Sequence, residues 1–272
     1  MKFEYKNWFL ENPQFPKIRK PNTIDLWHPA DTQELFIENL KKYPTSPHLL
    51  NYEQNPITYK YNNYGFRTPD DFTLDGEGNV FLGCSHTFGI GHHLENIWSY
   101  NLSQKVGGKF YNISEPGSGI MTQYRYLNYF KDKLKFKNVF HYLPDECWGR
   151  YEKINNDKFK AVFNWDTLSN DLMDFLYDDK MIHQINYVFI DAIRYFLNQN
   201  NINYYLITNS SLNLGEINPY HESLTPARDL MHYYVEEHSD LADMFYYKYK
   251  NKITDNTDNS ILLNQIDPRK IN

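Results

Sequence analysis

The stretch Asn79-Val80-Phe81-Leu82-Gly83-Cys84-Ser85-His86-Thr87-Phe88-Gly89-Ile90-Gly91 decides how the chain is read. Val80, Phe81 and Leu82 form a short apolar run of β-formers that stops at Gly83, and small or polar residues follow before a helix-like segment. The pattern is that of a strand delivering a serine, Ser85, to its carboxyl end. Ligands of open parallel sheets bind at those ends, and a hydroxyl on such a turn is presented to a substrate. Glycines on both sides allow the backbone to approach a ligand closely. Two readings stand from this stretch alone: a catalytic serine, and a glycine-rich turn that merely joins a buried strand to a helix. A phosphate-cradling loop would need a Gly-Lys-Ser/Thr ending or a Gly-x-Gly-x-x-Gly spacing, and neither occurs here.

Downstream of the serine, apolar periodicity switches repeatedly between the two structural periods. It predicts a strand over 79–83, a helix near 95–106, a strand over 109–113 and a helix near 119–133. A strand over 138–143, a long helical region within 165–199 and a strand over 203–208 follow. Such alternation implies a parallel sheet with helices on both faces. Residues 144–164, with Pro144, Trp148 and mixed charge, break the rhythm and are expected to loop over the strand ends. A further loop runs to about Arg228, and Asp229 to Lys250 is expected as one helix. On that helix Leu230, Tyr234, His238, Leu241, Phe245 and Tyr249 share the core stripe, with Asp229 and His232 on the opposite side. His238, on the stripe, is expected as a satisfied core histidine.

Upstream, residues 1–60 carry Pro13, Pro16, Pro21, Pro29, Pro44, Pro47 and Pro56 and one helical candidate, Asp31 to Tyr43, capped by Asp31 or Thr32. They read as an irregular arm packed on a main domain over 61–250, with a polar tail over 251–272. The 272 residues, 41% hydrophobic and 17% aromatic, suffice for one large core. A net charge of -6 argues against a surface built to neutralise phosphates, so no nucleic-acid partner is expected. No apolar run of spanning length and no secretion-type leader is found, so a cytoplasmic location away from membranes is expected. Cys84 and Cys147 are too few for a disulfide framework and lack metal-ligand spacing, with Cys84 a candidate reactive thiol beside the serine.

A serine hydroxyl needs a base to take its proton, usually an imidazole held in one tautomer by a carboxylate. Of the ten histidines, two have an aspartate three residues before them: His232 with Asp229, and His28 with Asp25. The second pair shows how easily this spacing arises and lies in the arm, ahead of the sheet. For Asp229 and His232, a solvated helix face with a local contact remains open beside a catalytic pair overhanging Ser85.

Gly83-Cys84-Ser85-His86-Thr87-Phe88-Gly89 resembles the first block of the SGNH, or GDSL-like, hydrolases, with Cys84 in place of the usual aspartate. Asn112-Ile113-Ser114-Glu115-Pro116-Gly117-Ser118-Gly119 resembles the second block, and Ala227-Arg228-Asp229-Leu230-Met231-His232 the last. Asn63-Tyr64-Gly65-Phe66-Arg67 recurs ahead of the first block in some members. The resemblance spans roughly residues 60–250 in the right order, and joint occurrence is far more specific than any one piece. It implies a three-layer α/β/α sandwich with a mostly parallel, flavodoxin-like sheet. It also implies a Ser85–Asp229–His232 triad, an oxyanion hole from the Ser85 and Gly117 amides, and no metal or organic cofactor.

The implied function is hydrolysis of a small acyl ester, with O-acetyl groups on a glycan as the substrate. One departure bears on rate. The family's third block supplies Gly-x-Asn-Asp, whereas this chain reads Tyr142-Leu143-Pro144-Asp145, without the third oxyanion donor. Trp148, Arg150 or the Gly119 amide are the candidate replacements. Two alternatives accompany the esterase. One is an inactive or weakened SGNH-fold structural or glycan-binding protein, virion-associated if phage-encoded, since the Asn-, Tyr-, Lys- and Ile-rich composition resembles phage and marine bacterial members. The other is an O-acyltransferase using the same triad.

Overall fold

The computed structural model of the chain describes residues 19–144, 147, 150–155, 158–162, 179–209 and 217–256. The N-terminal stretch holds β1 (Ile24–Asp25), α1 (Gln33–Lys42), α2 (Pro47–Gln54) and β2 (Tyr59–Lys60), with β1 and β2 antiparallel. Helix α1 occupies the expected place. Thr32 caps it by accepting from the Leu35 amide at 3.2 Å, and Glu34 at its start with Lys41 and Lys42 at its end oppose the helix dipole. Helix α2 is a correction to the irregular arm. Ser46 caps it, and Pro47 occupies its first turn, where a missing N–H costs no hydrogen bond. That proline is a start signal for the helix.

Beyond the arm come β3 (Gly78–Leu82), α3 (Ser85–Phe88), α4 (Trp98–Val106), β4 (Lys109–Asn112), α5 (Ile120–Phe130) and β5 (Phe136–Pro144). They are followed by β6 (Tyr151–Asn155), β7 (Lys158–Val162), α6 (Asp179–Gln199), β8 (Asn203–Asn209) and α7 (Val235–Lys250). Strands β4, β3, β5 and β8 form, in that order, a four-stranded sheet in which every pair is parallel. The chain is thus a mixed α/β fold built on a parallel sheet.

Alternating side chains divide between two cores. Val80, Leu82, Val139, Leu143, Tyr204 and Leu206 pack with residues of α5 and α6, including Leu127, Phe130, Ile190 and Ile193. Phe81, Phe140, Tyr142, Tyr205 and Ile207 pack instead with residues of α4 and α7, including Trp98, Leu241 and Phe245. Both faces are covered, which is why these strands read as near-continuous apolar runs. Trp98 stacks on Phe245 at 4.7 Å, and Phe140 on Tyr205 at 5.0 Å. Such pairs add about 0.5–1.5 kcal/mol each to the burial of their area.

Two further expectations are corrected. Part of the 144–164 stretch is an antiparallel hairpin, β6 with β7, not a loop alone. The last helix begins at Val235, because Leu230 adopts φ +56°, outside the right-handed helical region, and the Glu237 carboxylate in the first turn accepts from the Tyr234 amide at 2.8 Å. Beyond α7, the first tail residues are hydrogen-bonded to the sheet. On the outer side of β8, the Asp255 amide donates to the Tyr204 carbonyl at 2.7 Å, and its carboxylate accepts from the Leu206 amide at 2.8 Å. Asn256 Oδ1 accepts from the Tyr204 amide at 3.0 Å, while Lys248 Nζ reaches the Leu206 carbonyl and Asp255 Oδ2 at 2.8 and 2.5 Å. No helix among the described residues is long and apolar enough to cross a membrane. The expectations for residues 1–18, Asp145, Trp148, 163–178, 210–216 and the tail from 257 lie outside the described residues.

Candidate functional site

Strand β3 turns into α3 through Gly83, whose φ of +155° and close surroundings admit no side chain. A Cβ there would collide with Thr87 Oγ1 and lie 2.8 Å from the Tyr142 carbonyl oxygen. Ser85 is therefore the first helical residue after a very tight turn, with Cys84 at the N-cap. Gly89, at φ +83°, ends the single turn by donating to the Ser85 carbonyl at 2.7 Å. Ser85 is buried but for 8% of its surface. Among the described residues, its hydroxyl and backbone N–H and the Gly117 N–H form no hydrogen bond. Cys84, expected as a reactive thiol, is fully buried, as is Cys147.

The Gly117 turn is locked to this serine turn. Ser118 N–H donates to the Glu115 carbonyl at 3.0 Å with Pro116 and Gly117 between them, and Gly117 has φ +77°. Proline second and a positive-φ glycine third are what a type II turn requires. The Gly83 carbonyl accepts from the Glu115 amide at 3.1 Å and from the Ser118 hydroxyl at 3.2 Å. Asn112, at the end of β4, donates to the Thr87 carbonyl at 3.3 Å and accepts from the Ser114 amide and hydroxyl.

A chain of hydrogen bonds extends this lock into the sheet. Gln123 Nε2 donates to Ser118 Oγ at 3.1 Å, so its Oε1 is left to accept from His141 Nε2 at 2.5 Å. His141 Nδ1 must then accept from the Tyr204 hydroxyl, 2.7 Å away. Complete burial lowers the His141 pKa to about 3, keeping the ring neutral as this single direction demands. Each group donates once along the line, an arrangement in which hydrogen bonds polarise one another. Sequence reasoning missed Gln123 and His141. The only signal for His141 is an imidazole inside the apolar run from Val139 to Leu143.

Asp229 and His232 lie in the turn that precedes α7, not on its solvated face. The Leu230 amide donates to the Ala227 carbonyl at 3.0 Å, and the Met231 amide to Asp229 Oδ1 at 3.0 Å. His232 Nδ1 lies 2.6 Å from Asp229 Oδ2, with the Asp229 side chain fully buried and that of His232 12% exposed. Burial would lower the His232 pKa, but the Asp229 charge and hydrogen bond outweigh it and leave it raised. Burial pushes the other way on Asp229, where the His232 interactions and the Met231 amide win and lower it. Asp229 is thus ionised and accepts Nδ1–H, which leaves Nε2 of a neutral His232 as a base.

The two halves of the site meet. The His232 ring lies 5.1 Å from that of His86, the residue after Ser85, and His86 stacks on Tyr233 at 3.8 Å. Gly91, at φ +73°, lets the loop pass so close to Asp229 that an added Cβ would sit 3.1 Å from Oδ1. His92 donates from Nε2 to the Tyr233 carbonyl at 2.7 Å, its pKa lowered to about 3 by burial. The second Asp-His pair does not form. Asp25 is exposed, whereas His28 is buried and accepts from the Ala30 amide at 3.1 Å through Nδ1. His238 is fully buried, as its place on the stripe implies, and accepts from the Trp98 amide at 3.3 Å, but its Nε2 has no hydrogen-bond partner among the described residues, so the expected satisfied histidine is satisfied at one nitrogen only.

Neither a protein-family model nor a curated protein nor a solved structure matches the chain.

Pro144 ends β5 in register with Asn209 and offers neither a backbone nor a side-chain N–H. Of the replacements suggested by sequence, Trp148 lies outside the described residues. The Arg150 guanidinium is directed at Cys147 Sγ, 3.6 Å away, while the Gly119 amide forms no hydrogen bond among the described residues. Among those residues no group of three or more His, Cys, Asp or Glu side chains is gathered to hold a metal ion.

Arg67, from the segment ahead of β3, stitches the glycine loop together. Its guanidinium donates to the carbonyls of Phe88 (3.3 Å), Gly89, Thr58 (3.2 Å) and His92 (2.6 Å), with the Tyr59 ring 4.5 Å away. Replacing Arg67 by methionine keeps the stem but takes the donor from four carbonyls, of which that of Gly89 keeps the His92 amide at 3.4 Å. The expected loss is about 3 kcal/mol or more, since each buried acceptor left without a donor costs about 1–3 kcal/mol. Lysine, lacking the planar fork, is expected to rescue little of it. A urea midpoint within experimental error of wild type would refute this.

Proposed function

We propose that the chain is an SGNH-type serine esterase with a three-layer α/β/α architecture, acting on a small acyl ester, with glycan O-acetyl groups as the substrate class. The observation that carries this reading is the Asp229–His232 contact of 2.6 Å, in a turn set beside the Ser85 turn. Of two pairs with the same spacing, this one alone closes.

In this mechanism His232 Nε2 removes the Ser85 hydroxyl proton as Oγ attacks the acyl carbon. The carbonyl oxygen takes the negative charge and is met by the Ser85 and Gly117 amides, which have no other partner among the described residues. Collapse of the tetrahedral intermediate breaks the ester C–O bond, and His232 returns the proton to the leaving alkoxide. Water, activated by the same imidazole, then releases the acid and restores Ser85. Asp229 keeps Nδ1 protonated and stabilises the imidazolium. Ser85 is not hydrogen-bonded to His232 in the free protein, a bond that in many enzymes tightens only with substrate bound.

Pro144 favours a second reading, a weakened or inactive site in a glycan-binding protein. Loss of one oxyanion donor typically costs about 10²- to 10³-fold. Wild type is accordingly expected to hydrolyse chromogenic acetyl esters slowly and to be labelled by a fluorophosphonate. Pro144→Asn is expected to raise the rate, since residue 144 ends a strand at the carboxyl edge of the sheet. Absence of hydrolysis and labelling in both proteins, across acetyl and longer acyl groups, would replace the esterase by the binding role.

A further inference from the structure

The N-terminal stretch, expected from sequence as an irregular arm packed on the main domain, converges on the residue before Asp229. Arg228 is 1% exposed, as is Asp31, which faces it. Nε of Arg228 lies 3.1 and 3.2 Å from the two carboxylate oxygens of Asp31, and Nη2 lies 2.6 Å from Oδ2. Nη2 also donates to the Leu26 carbonyl at 2.8 Å, and the Trp27 ring lies 4.2 Å from the guanidinium carbon. Asp31 additionally accepts from the Tyr59 hydroxyl, which itself accepts from the Gly91 amide at 2.9 Å.

The backbone is held as firmly as the side chain. Arg228 N–H donates to the Gly91 carbonyl at 2.9 Å. Asn39 Nδ2 lies 3.5 and 3.4 Å from the carbonyls of Arg228 and Asp229. A buried guanidinium cannot leave its counter-ion without exposing an uncompensated charge to the interior, so Arg228 is anchored in both directions. One residue beyond Asp229, Leu230 sits at φ +56°, a backbone conformation that a side-chain-bearing residue keeps only where its surroundings impose it. The anchor at Arg228 on one side and the His92 bond to the Tyr233 carbonyl on the other supply that constraint.

We propose that Asp31 is a positioning residue for the Asp229–His232 pair, acting through Arg228, so that the N-terminal stretch is a working part of the site. The proposal rests on the esterase reading for its effect on turnover, but its effect on the histidine can be measured without turnover. Two variants test it. Asp31→Asn keeps the shape and removes the counter-charge. The double variant D31L/R228M replaces the pair by apolar groups, an exchange that is often neutral for stability when well packed.

Both variants, assayed at a temperature where they are folded, are expected to lower kcat about 10²-fold with KM little changed, the scale of a misplaced catalytic group. In isotope-labelled protein, the low-field Nδ1–H proton signal of His232, present in wild type, is expected to vanish from the double variant although its melting temperature is retained. Wild-type kcat together with an intact signal in the folded double variant overturns the proposal. Absence of the signal from wild type overturns it as well. If wild type proves inactive on every ester, the esterase reading fails and the histidine signal alone decides: its loss in the double variant supports the role of Asp31, and its persistence refutes it. If the double variant does not fold, Tyr59→Phe, which removes one bond to Asp31, is read by the same signal and the same two outcomes.

Discussion

Replacing Ser85 by alanine is expected to lower ester turnover by about 10⁶-fold, the scale on which removal of the nucleophile disables a serine hydrolase. The same change should abolish labelling by a fluorophosphonate, which reacts with an activated hydroxyl. Stability should hardly move. The Ser85 hydroxyl has no hydrogen bond among the described residues, and the carbonyl that accepts from Gly89 belongs to the backbone, which alanine retains. Turnover and stability therefore separate at this residue, and unchanged labelling of Ser85→Ala would eliminate it as the nucleophile.

Removal of the base should cost nearly as much. His232→Ala is expected to reduce kcat by about 10⁶-fold, and Asp229→Asn, which leaves the imidazole without its anchor, by about 10⁴-fold. His28→Ala, taken from the decoy pair, should alter stability alone. The pH dependence supplies an independent check, and its sign follows from the shifts. The proposed mechanism requires neutral His232, whose pKa is raised, so kcat/KM should rise with pH through a midpoint above the ordinary histidine value of 6.5. In Asp229→Asn the charge that raises it is gone, and the midpoint should fall.

Stability runs the opposite way at the histidine. A raised folded-state pKa contributes stability that is full below 6.5 and is lost as the pH rises through the folded value. The lowered pKa of Asp229 contributes stability above 3.8 that is lost on acidification through its folded value. A midpoint at or below 6.5 in the wild type, or an unaffected rate in His232→Ala, would dismiss the pair as the catalytic base and its anchor.

Most of the sheet and the serine turn were legible in sequence, because both rest on local signals. Val80 to Leu82 announce a buried strand, and Gly83 is needed where no Cβ fits. The turn at Asp229 was not legible as a turn. The apolar stripe that continues from Leu230 to Tyr249 suits a helix throughout, and what breaks it is the left-handed conformation of Leu230, a residue that gives no local warning. Equal spacing could not separate Asp25–His28 from Asp229–His232 either, since burial decides between them and burial is a property of the whole fold. Asp31 and Arg228 stand 197 residues apart in sequence, and no periodicity links them. Gln123 and His141 were hidden for the same reason, each being ordinary in its own element and informative only when joined.

The bonds on the outer side of β8 also decide where this protein can grow. A terminal strand normally offers a row of free amides and carbonyls, a template on which a second chain can add itself. Here the amides of Tyr204 and Leu206 and their carbonyls are already taken by Asp255, Asn256 and Lys248. Along Tyr204 and Leu206 that margin offers no free group for strand addition, whether by another copy or by a passing extended peptide. Asp255 and Asn256, two of the three residues that make the lock, lie past the end of the last helix. A protein shortened at Lys250 would reopen the margin and leave the Lys248 ammonium without its carboxylate, turning a protected flank into an adhesive one.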